Sequence, residues 1–239
     1  MLTDLANAFS FLTILPMTWL KPGTNRTPGY AFSFYPLVGL VIGLLVSLVA
    51  AIRFLLPLSP DVTAFLALTA WVALTGGLHL DGFADSCDGL LSTTTPERRL
   101  EIMKDPRAGS WAVIGVVLLL LGKWVALRYV TFPLLLLPPV AGRWAMTLVV
   151  ALFPNARPGG IGAFFRNGLG RKQVLVATAI ALAVAVALGW RGLLALAVSF
   201  VVALLFGRWA SGRLGGGLTG DTYGATCELV ECACLILLV

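Results

Sequence analysis

Long apolar runs separated by short polar stretches dominate this chain. A spanning helix needs about 20 mostly apolar residues. Six runs reach or approach that length: Phe32–Leu55, Val62–Leu80, Trp111–Val130, Phe132–Phe153, Val174–Trp190 and Leu193–Phe206. Two shorter apolar segments, Ala6–Leu20 and Ala225–Val239, are expected to lie at the interface, to re-enter, or to span with a kink. The pattern predicts an all-α, polytopic transmembrane helix bundle of about six spans with short apolar terminal segments.

The composition argues against an ordinary water-soluble domain. Of the 239 residues, 59% are hydrophobic and 12% are charged, whereas a soluble domain has about 25% charged residues. No long linker or low-complexity tract interrupts the pattern, so residues 1–239 are interpreted as one integral membrane domain. The first residues lack a basic stretch and carry Asp4, so no secretory signal peptide is expected.

The four cysteines give no disulfide framework. Cys87 stands alone, and Cys227, Cys232 and Cys234 lie in an apolar tail. Their C-x4-C-x-C spacing is a weak metal pattern, because no second pair completes a four-ligand zinc site. We interpret these cysteines as small buried hydrophobic side chains.

The basic residues concentrate in loops that lie two spans apart. Seventeen Lys and Arg against eleven Asp and Glu give a net charge of +6. The four basic loops contain Lys21 and Arg26; Arg98, Arg99, Lys104 and Arg107; Arg157, Arg166, Arg171 and Lys172; and Arg208 and Arg213. The positive-inside rule predicts that all four loops face the cytoplasm. The basic excess therefore reflects membrane topology, and no nucleic-acid partner is expected.

A dense acidic motif follows the second predicted span. Asp81, Asp85 and Asp88 have the spacing i, i+4 and i+7, which places them within an arc of about 60° on a helix. Carboxylates so close together repel one another, and a hard cation such as Mg²⁺ or Mn²⁺ relieves that repulsion. The alternative interpretation is a helix cap and solvated turn, which explains one aspartate, such as Asp88, but not three on one face.

His79 is the only histidine in the chain and precedes this face by two residues. On a continuous helix its side chain points well away from Asp81. His79 joins the acidic site only if the chain bends at Gly76 and Gly77. We therefore predict a functional role for His79 on the condition that the chain bends there.

Two further loops carry candidate phosphate-binding residues. In the first, Asp105 and Arg107 flank Pro106 before Gly109. Arg107 has the planar fork that grips a phosphate, although simple anchoring at a cytoplasmic loop is the alternative. In the second, residues 215–225, the successive glycines allow backbone N–H groups to approach phosphate oxygens, and Asp221 adds a carboxylate. The alternative there is a flexible turn between helices.

Three charged residues inside apolar runs are weaker candidates. Glu228 follows Asp221 by seven residues and would share its helix face. Lys123 and Arg143 lie inside predicted spans, and the simplest interpretation is that their side chains extend to the membrane interface.

At these positions the sequence resembles the cobalamin synthase family, the adenosylcobinamide-GDP ribazoletransferases. The resemblance rests on Gly76-Gly-Leu-His-Leu-Asp-Gly-Phe-Ala-Asp-Ser-Cys-Asp-Gly89, Tyr35-Pro-Leu-Val-Gly-Leu-Val-Ile-Gly43, Asp105-Pro-Arg-Ala-Gly109 and Leu218-Thr-Gly-Asp-Thr-Tyr-Gly-Ala225. It covers almost the whole chain. One departure is Ile14, where many members have Arg, and it weakens the expectation of a ligand contact from residues 11–16.

The resemblance implies a Mg²⁺-dependent phosphate-group transfer. The 3′-hydroxyl of α-ribazole, or of its 5′-phosphate, attacks the phosphate next to cobinamide in adenosylcobinamide-GDP, and GMP leaves. The expected metal ligands are Asp81, Asp85, Asp88 and Asp221. The expected substrate-binding residues are Asp105, Arg107, Gly109, Gly220, Asp221 and Gly224. A carboxylate or His79 takes the hydroxyl proton.

The same resemblance gives the expected cellular setting. We expect a multi-pass protein of the cytoplasmic (inner) membrane of a prokaryote, with its active site facing the cytoplasm. Its expected partners are the lipid bilayer and the two small-molecule substrates.

Two other functions remain as alternatives. The first is a membrane phosphotransferase that releases CMP from a CDP-linked lipid, but its D-x2-D-G-x2-A-R pattern is not completed after Gly89. The second is a cation-coupled transporter, which also carries carboxylates inside the membrane. Transporters place such groups near the bilayer midplane in paired halves, whereas this motif occurs once, at one membrane face.

Overall fold

The computed structural model describes residues 1–17, 27–157, 159 and 161–239, and it is helical throughout. Short 3₁₀ turns at Pro28–Phe34, Ala51–Phe54 and Leu134–Leu136 adjoin the α-helices. The α-helices are α1 (Leu2–Leu12), α2 (Tyr35–Ala50), α3 (Pro60–Thr75), α4 (Leu78–Leu91), α5 (Pro96–Ile102), α6 (Ser110–Leu127), α7 (Leu137–Leu152), α8 (Ile161–Arg166), α9 (Arg171–Ala187), α10 (Gly189–Arg213) and α11 (Gly220–Leu238).

The spans agree in outline with the sequence prediction. Among the described residues, four helical segments are long and apolar enough to cross a membrane: Pro28–Phe54, Ser110–Leu127, Leu134–Leu152 and Gly189–Arg213. A fifth candidate is the pair α3 and α4, which meet at 90°. The chain is therefore an all-α, multi-pass helix bundle. The predicted fifth span corresponds to α9, which has 17 residues, and the short sixth one lengthens to the 25 residues of α10.

Two glycines produce the break between α3 and α4. Gly76 and Gly77 have φ values of +60° and +69°, which lie in the left-handed region that favours glycine. Gly76 ends α3, and Gly77 precedes the first residue of α4. The expected bend at Gly76 and Gly77 is therefore present, and it turns the acidic helix across the direction of α3. It lies before both His79 and Asp81, which share α4.

The end of the chain, expected to lie at the interface, to re-enter or to span with a kink, forms a longer helix than the predicted segment Ala225–Val239. Helix α11 begins at Gly220, five residues earlier than expected, and packs in the middle of the bundle against α4 and α7. Helix α7 is equally enclosed, since every residue from Leu137 to Val150 is buried. Most side chains of both helices are therefore covered by the rest of the bundle.

The expectation that Lys123 and Arg143 extend to the membrane interface is wrong. Neither side chain reaches the interface, because each is at most 3% exposed. The Lys123 Nζ lies 2.5 Å from carboxylate oxygens of Glu228 and Glu231, and the Arg143 guanidinium pairs with Glu231. Helices α6, α7 and α11 are thus joined by a buried cluster of two cations and two carboxylates. Both cations stay inside the bundle because their carboxylate partners lie on α11.

Three of the four basic loops meet at one end of the bundle. The Arg99 Nη1 donates to the Arg213 carbonyl at 3.1 Å, and the Arg157 Nη2 donates to the Leu100 carbonyl at 2.9 Å. At the other end, Arg128 pairs with Asp61 at 2.7 Å. The predicted topology requires such a common end. Lys21 and Arg26, in the remaining loop, lie outside the described residues.

Candidate active site

A cavity of about 290 Å³ opens where α4 meets the beginning of α11. One side, which we call the polar wall, comes from α4, from residues 154–157 and from the first turn of α11. It includes Asp81, Asp221, Arg157, Asn155 and Gly220. The other side, the aromatic wall, consists of Phe11, Phe32, Tyr35 and Phe165. The cavity therefore combines charged groups with flat apolar surfaces.

The polar wall depends on a close approach of α4 to α11. A β-carbon added to Gly82 would lie 2.9 Å from the Asp221 carbonyl oxygen, and one added to Gly224 would lie 3.3 Å from the His79 α-carbon. Such distances require glycine, because the two backbones nearly touch. As a result Asp81 and Asp221, which are 140 residues apart in sequence, line one cavity.

The first turn of α11 offers an anion-binding geometry. The Thr219 hydroxyl accepts a hydrogen bond from the Thr222 N–H at 3.3 Å, and the Thr222 hydroxyl accepts one from the Thr219 N–H at 2.9 Å. This capping box fixes the helix start, where backbone N–H groups and the helix dipole favour negative charge. A β-carbon on Gly220 would meet nothing within 4 Å. The space beside this turn is thus open to a ligand.

Arg157 brings a cation into the cavity, although its position in the sequence indicates only the membrane topology. Its guanidinium Nη1 lies 3.5 Å from the Asp221 carboxylate. Two backbone hydrogen bonds of 2.9 Å, between Ala156 and Leu218 and between Leu218 and Pro154, hold this segment beside α11. The sequence feature that could have identified Arg157 is its position just after Pro154-Asn155, in a loop at the same predicted membrane face as the acidic motif and the glycine-rich loop.

Asp85 and Asp88 occupy different surroundings from Asp81. The carboxylate oxygens of Asp88 accept hydrogen bonds from the Gly109 N–H at 2.6 Å and the Ala112 N–H at 2.9 Å. Asp88 thus caps α6 from a neighbouring helix, and Gly109 leaves room for it, since a β-carbon there would lie 2.7 Å from that carboxylate. Asp85 interacts electrostatically with Asp221, Asp81 and Asp88. The acidic face is therefore shared between the cavity and the start of α6.

Asp105 and Arg107 lie at the surface and do not line this cavity. The Arg107 side chain is 87% exposed, and its guanidinium donates to the Asp105 carboxylate at 2.7 and 2.9 Å. These hydrogen bonds hold the pKa of Asp105 well below its usual range. The pair stabilises the turn before α6, while Arg157 is the arginine that faces Asp221.

His79 lines the cavity together with Asp81, because the cavity reaches around the first turn of α4. The imidazole is 2% exposed, and neither ring nitrogen has a hydrogen-bond partner in the described part of the chain. A buried polar group without a partner is costly. His79 is therefore available to bond a ligand or a water molecule in the cavity.

The carboxylates of the cavity fit a Mg²⁺ site that is completed by water and substrate, and not a site made of protein side chains alone. Within the described ranges, no three His, Cys, Asp or Glu side chains are grouped so that they hold a metal ion by themselves. Mg²⁺, however, commonly binds through one or two carboxylates, several waters and substrate phosphates. Asp81 and Asp221, facing one cavity beside a helix N-terminus, fit that second manner.

Comparisons with known proteins point to a single family. A family model described as cobalamin-5-phosphate synthase matches residues 4–239. An adenosylcobinamide-GDP ribazoletransferase of Stutzerimonas stutzeri (strain A1501) is 44% identical over 234 residues, which are 96% of this chain and 94% of the relative. A protein of the same name from Roseiflexus sp. (strain RS-1) is 38% identical over 98% of this chain and 88% of its own. No solved structure matches the chain.

Proposed function

The chain belongs to the cobalamin-5-phosphate synthase family, and we propose that it is an adenosylcobinamide-GDP ribazoletransferase. It transfers the adenosylcobinamide-phosphate group to α-ribazole, or to α-ribazole 5′-phosphate, and releases GMP. The family match and the names of the relatives agree on this late step of cobalamin biosynthesis. They support neither the CDP-linked phosphotransferase nor the transporter.

The observation that carries the proposal is the meeting of Asp81, Asp221 and Arg157 at one cavity. A diphosphate ester brings several negative charges, which need cations and N–H donors in a site protected from water. Arg157 supplies a guanidinium, and the first turn of α11 supplies backbone N–H groups. The two carboxylates on their own would repel the substrate, so a bound cation is required between them and the phosphates.

We propose Mg²⁺ as that cation, and Asp81, Asp221 and the neighbouring Asp85 are the residues that would hold it. A bound Mg²⁺ would supply the positive charge that the diphosphate and the departing GMP need. The fourth expected ligand, Asp88, has a different role, because both of its carboxylate oxygens accept hydrogen bonds that cap α6. This set places fewer protein ligands on the metal than the sequence pattern predicts.

The reaction is a displacement at one phosphorus atom. The ribose 3′-oxygen forms a bond to the phosphorus that carries cobinamide, and the bond from that phosphorus to the oxygen bridging it to GMP breaks. GMP leaves with the electron pair, and the hydroxyl proton passes to a base. His79 and the cavity carboxylates are the groups in place for that proton. No protein nucleophile is needed, since positioning and charge neutralisation suffice for this chemistry.

The membrane setting completes the proposal. The three described basic loops share the end of the bundle that carries the cavity, because Arg157 belongs to one of them and lines it. We propose that this end faces the cytoplasm of a prokaryotic cell, with the bundle in the inner membrane.

The test is turnover by the purified full chain in lipid nanodiscs. Adenosylcobinamide-GDP, α-ribazole and Mg²⁺ should give equal amounts of GMP and adenosylcobalamin. CMP release from a CDP-linked lipid without GMP formation would support the phosphotransferase instead. Cation uptake into proteoliposomes without any product would support the transporter.

A further inference from the structure

The aromatic wall is continuous and lies outside the residues assigned above. The ring centroids of Phe11 and Phe165 are 4.4 Å apart, and those of Phe32 and Tyr35 are 4.3 Å apart. A 6.5 Å contact between Phe11 and Tyr35 joins the two pairs. Three separate regions of the chain, at α1, at residues 32–35 and at α8, thus converge on one apolar surface.

The depth of the wall changes along its length. Phe32 and Tyr35 are 2% and 1% exposed, so they form its floor. Phe11 is 36% exposed, and Phe165 is partly exposed, so these two rings stand at the opening. Met146 adds a further apolar side chain to the same cavity. Such a surface accepts a flat, apolar ring by stacking and contact.

Four ring systems take part in the proposed reaction: the corrin, the adenine of the adenosyl group, the guanine and the fused-ring base of α-ribazole. The corrin with its side chains is far larger than a cavity of about 290 Å³. Adenine and guanine carry donors and acceptors on their edges, and burying them against phenylalanine and methionine would leave them without partners. The benzimidazole base of α-ribazole has apolar methyl groups on that side instead.

We propose that the aromatic wall is the binding site for the fused-ring base of the acceptor nucleoside. The inference rests on the proposed function and adds the location of one substrate. With the base stacked near Phe11 and Phe165, the ribose lies toward the polar wall, where its hydroxyl meets the diphosphate. The wall then selects acceptors by the apolar character of their base.

Phe11 and Phe165 are partly exposed, so substitutions there test the inference without removing a fully buried side chain. We would prepare Phe11→Leu and Phe165→Leu, with Phe65→Leu as the matched control, since Phe65 is 60% exposed and does not line the cavity. Binding of α-ribazole alone to the protein in nanodiscs would be measured by calorimetry in the presence of EDTA. The KM values of both substrates would be measured separately.

Each wall variant should weaken α-ribazole binding and raise its KM by about 10-fold, the range for loss of one base–aromatic contact. The KM for adenosylcobinamide-GDP should stay within about 2-fold, and Phe65→Leu should match the wild type. Unchanged α-ribazole binding would overturn the inference, and a raised KM for adenosylcobinamide-GDP alone would assign the wall to a purine of that substrate. Absence of GMP release by the wild type would refute the proposed function, while the calorimetry would still decide where α-ribazole binds.

Discussion

Gly82 of α4 packs directly on the backbone of Asp221 in α11, such that a β-carbon at residue 82 would lie 3.1 Å from the Asp221 α-carbon. This contact joins two polar motifs that are far apart in sequence. It sets the distance between the acidic helix and the helix N-terminus that faces it. The geometry of the polar wall therefore requires a residue without a β-carbon at position 82.

Gly82→Ala should lower kcat/KM by at least about 10-fold, because the two helices must separate and a shift near 1 Å in a catalytic site costs as much as 10²-fold. The measurement is GMP release in nanodiscs. Gly212→Ala is the control, since a β-carbon there meets nothing within 4 Å and residue 212 lies within α10. Equal activity of both variants would show that the close contact does not set the site.

Loss of the Asp81 carboxylate should lower turnover, whereas loss of the Asp88 carboxylate should lower stability. Asp81→Ala should reduce turnover by about 10²-fold, the cost of losing a charge-stabilising group, without changing the melting temperature of the detergent-solubilised protein. Asp88→Ala should lower the free energy of unfolding by about 1.5–3 kcal/mol, because two N–H groups at the start of α6 lose a charged acceptor. A lower melting temperature for Asp81→Ala than for Asp88→Ala would contradict this division.

The metal prediction has its own measurement. EDTA should abolish GMP release and added Mg²⁺ should restore it, since two carboxylates cannot face a diphosphate without a cation. In Asp81→Asn, the Mg²⁺ concentration for half-maximal activity should rise by about 10-fold or more. Undiminished turnover in EDTA would remove Mg²⁺ from the proposal.

Arg157 and Arg107 offer a direct comparison of two arginines. Arg157→Gln should lower kcat/KM for adenosylcobinamide-GDP by about 10²-fold, since the only guanidinium lining the described cavity is lost. Arg107→Gln should stay within about 3-fold, because this exposed side chain bonds only Asp105 within the described structure. The reverse result would restore Arg107 as the phosphate ligand.

The fold class and the two helices of the polar wall could be predicted from the sequence, whereas Arg157 could not. Apolar run length predicts the helical class and most spans, because a membrane fixes the length of a helix. The i, i+4, i+7 aspartates and the glycine-rich turn identify both helices of the polar wall. The expected metal set predicts that Asp221 meets the acidic helix, and Asp81 and Asp221 do line one cavity. The closeness of that contact could not be predicted, since it depends on backbone packing at Gly82. Arg157 was missed for the same reason, because only the pairing with Leu218 brings residues 154–157 to the cavity.

The interior charges show a different limit. Sequence position places Lys123 and Arg143 near span ends, where extension to the interface is the usual outcome. Their actual partners, Glu228 and Glu231, lie on α11. The acidic residues of this helix lower its mean hydropathy, so an apolar run alone does not identify it as an interior helix. A span that carries carboxylates is recognisable only when its cationic partners are known.

The topology prediction is tested by cysteine labelling in a background without the native cysteines. Single cysteines at Glu101 and Asn167, both exposed, should react with an impermeant reagent from the same side of the membrane. A cysteine at Thr131, exposed at the other end of the bundle, should react from the opposite side. Labelling of positions 101 and 167 from different sides would overturn the arrangement of the spans.

The buried ion cluster should determine whether the bundle holds together. Glu231→Ala removes the carboxylate shared by Arg143 and Lys123, and an unpaired buried cation costs about 3–5 kcal/mol. The melting temperature in detergent should therefore fall sharply, with loss of folded yield. Glu101→Ala is the matched control, because its ion pair with Arg98 is exposed and contributes at most about 1 kcal/mol.

A double replacement separates pairing from simple loss of volume. In Glu231→Met with Arg143→Met, no unpaired guanidinium remains, and Lys123 keeps Glu228 as its partner. Apolar side chains of similar volume often replace a buried pair without a stability cost. The double variant should therefore melt well above Glu231→Ala. If it melts at the same temperature or lower, charge pairing is not the reason for the cluster, and the packing of α7 against α11 carries the stability instead.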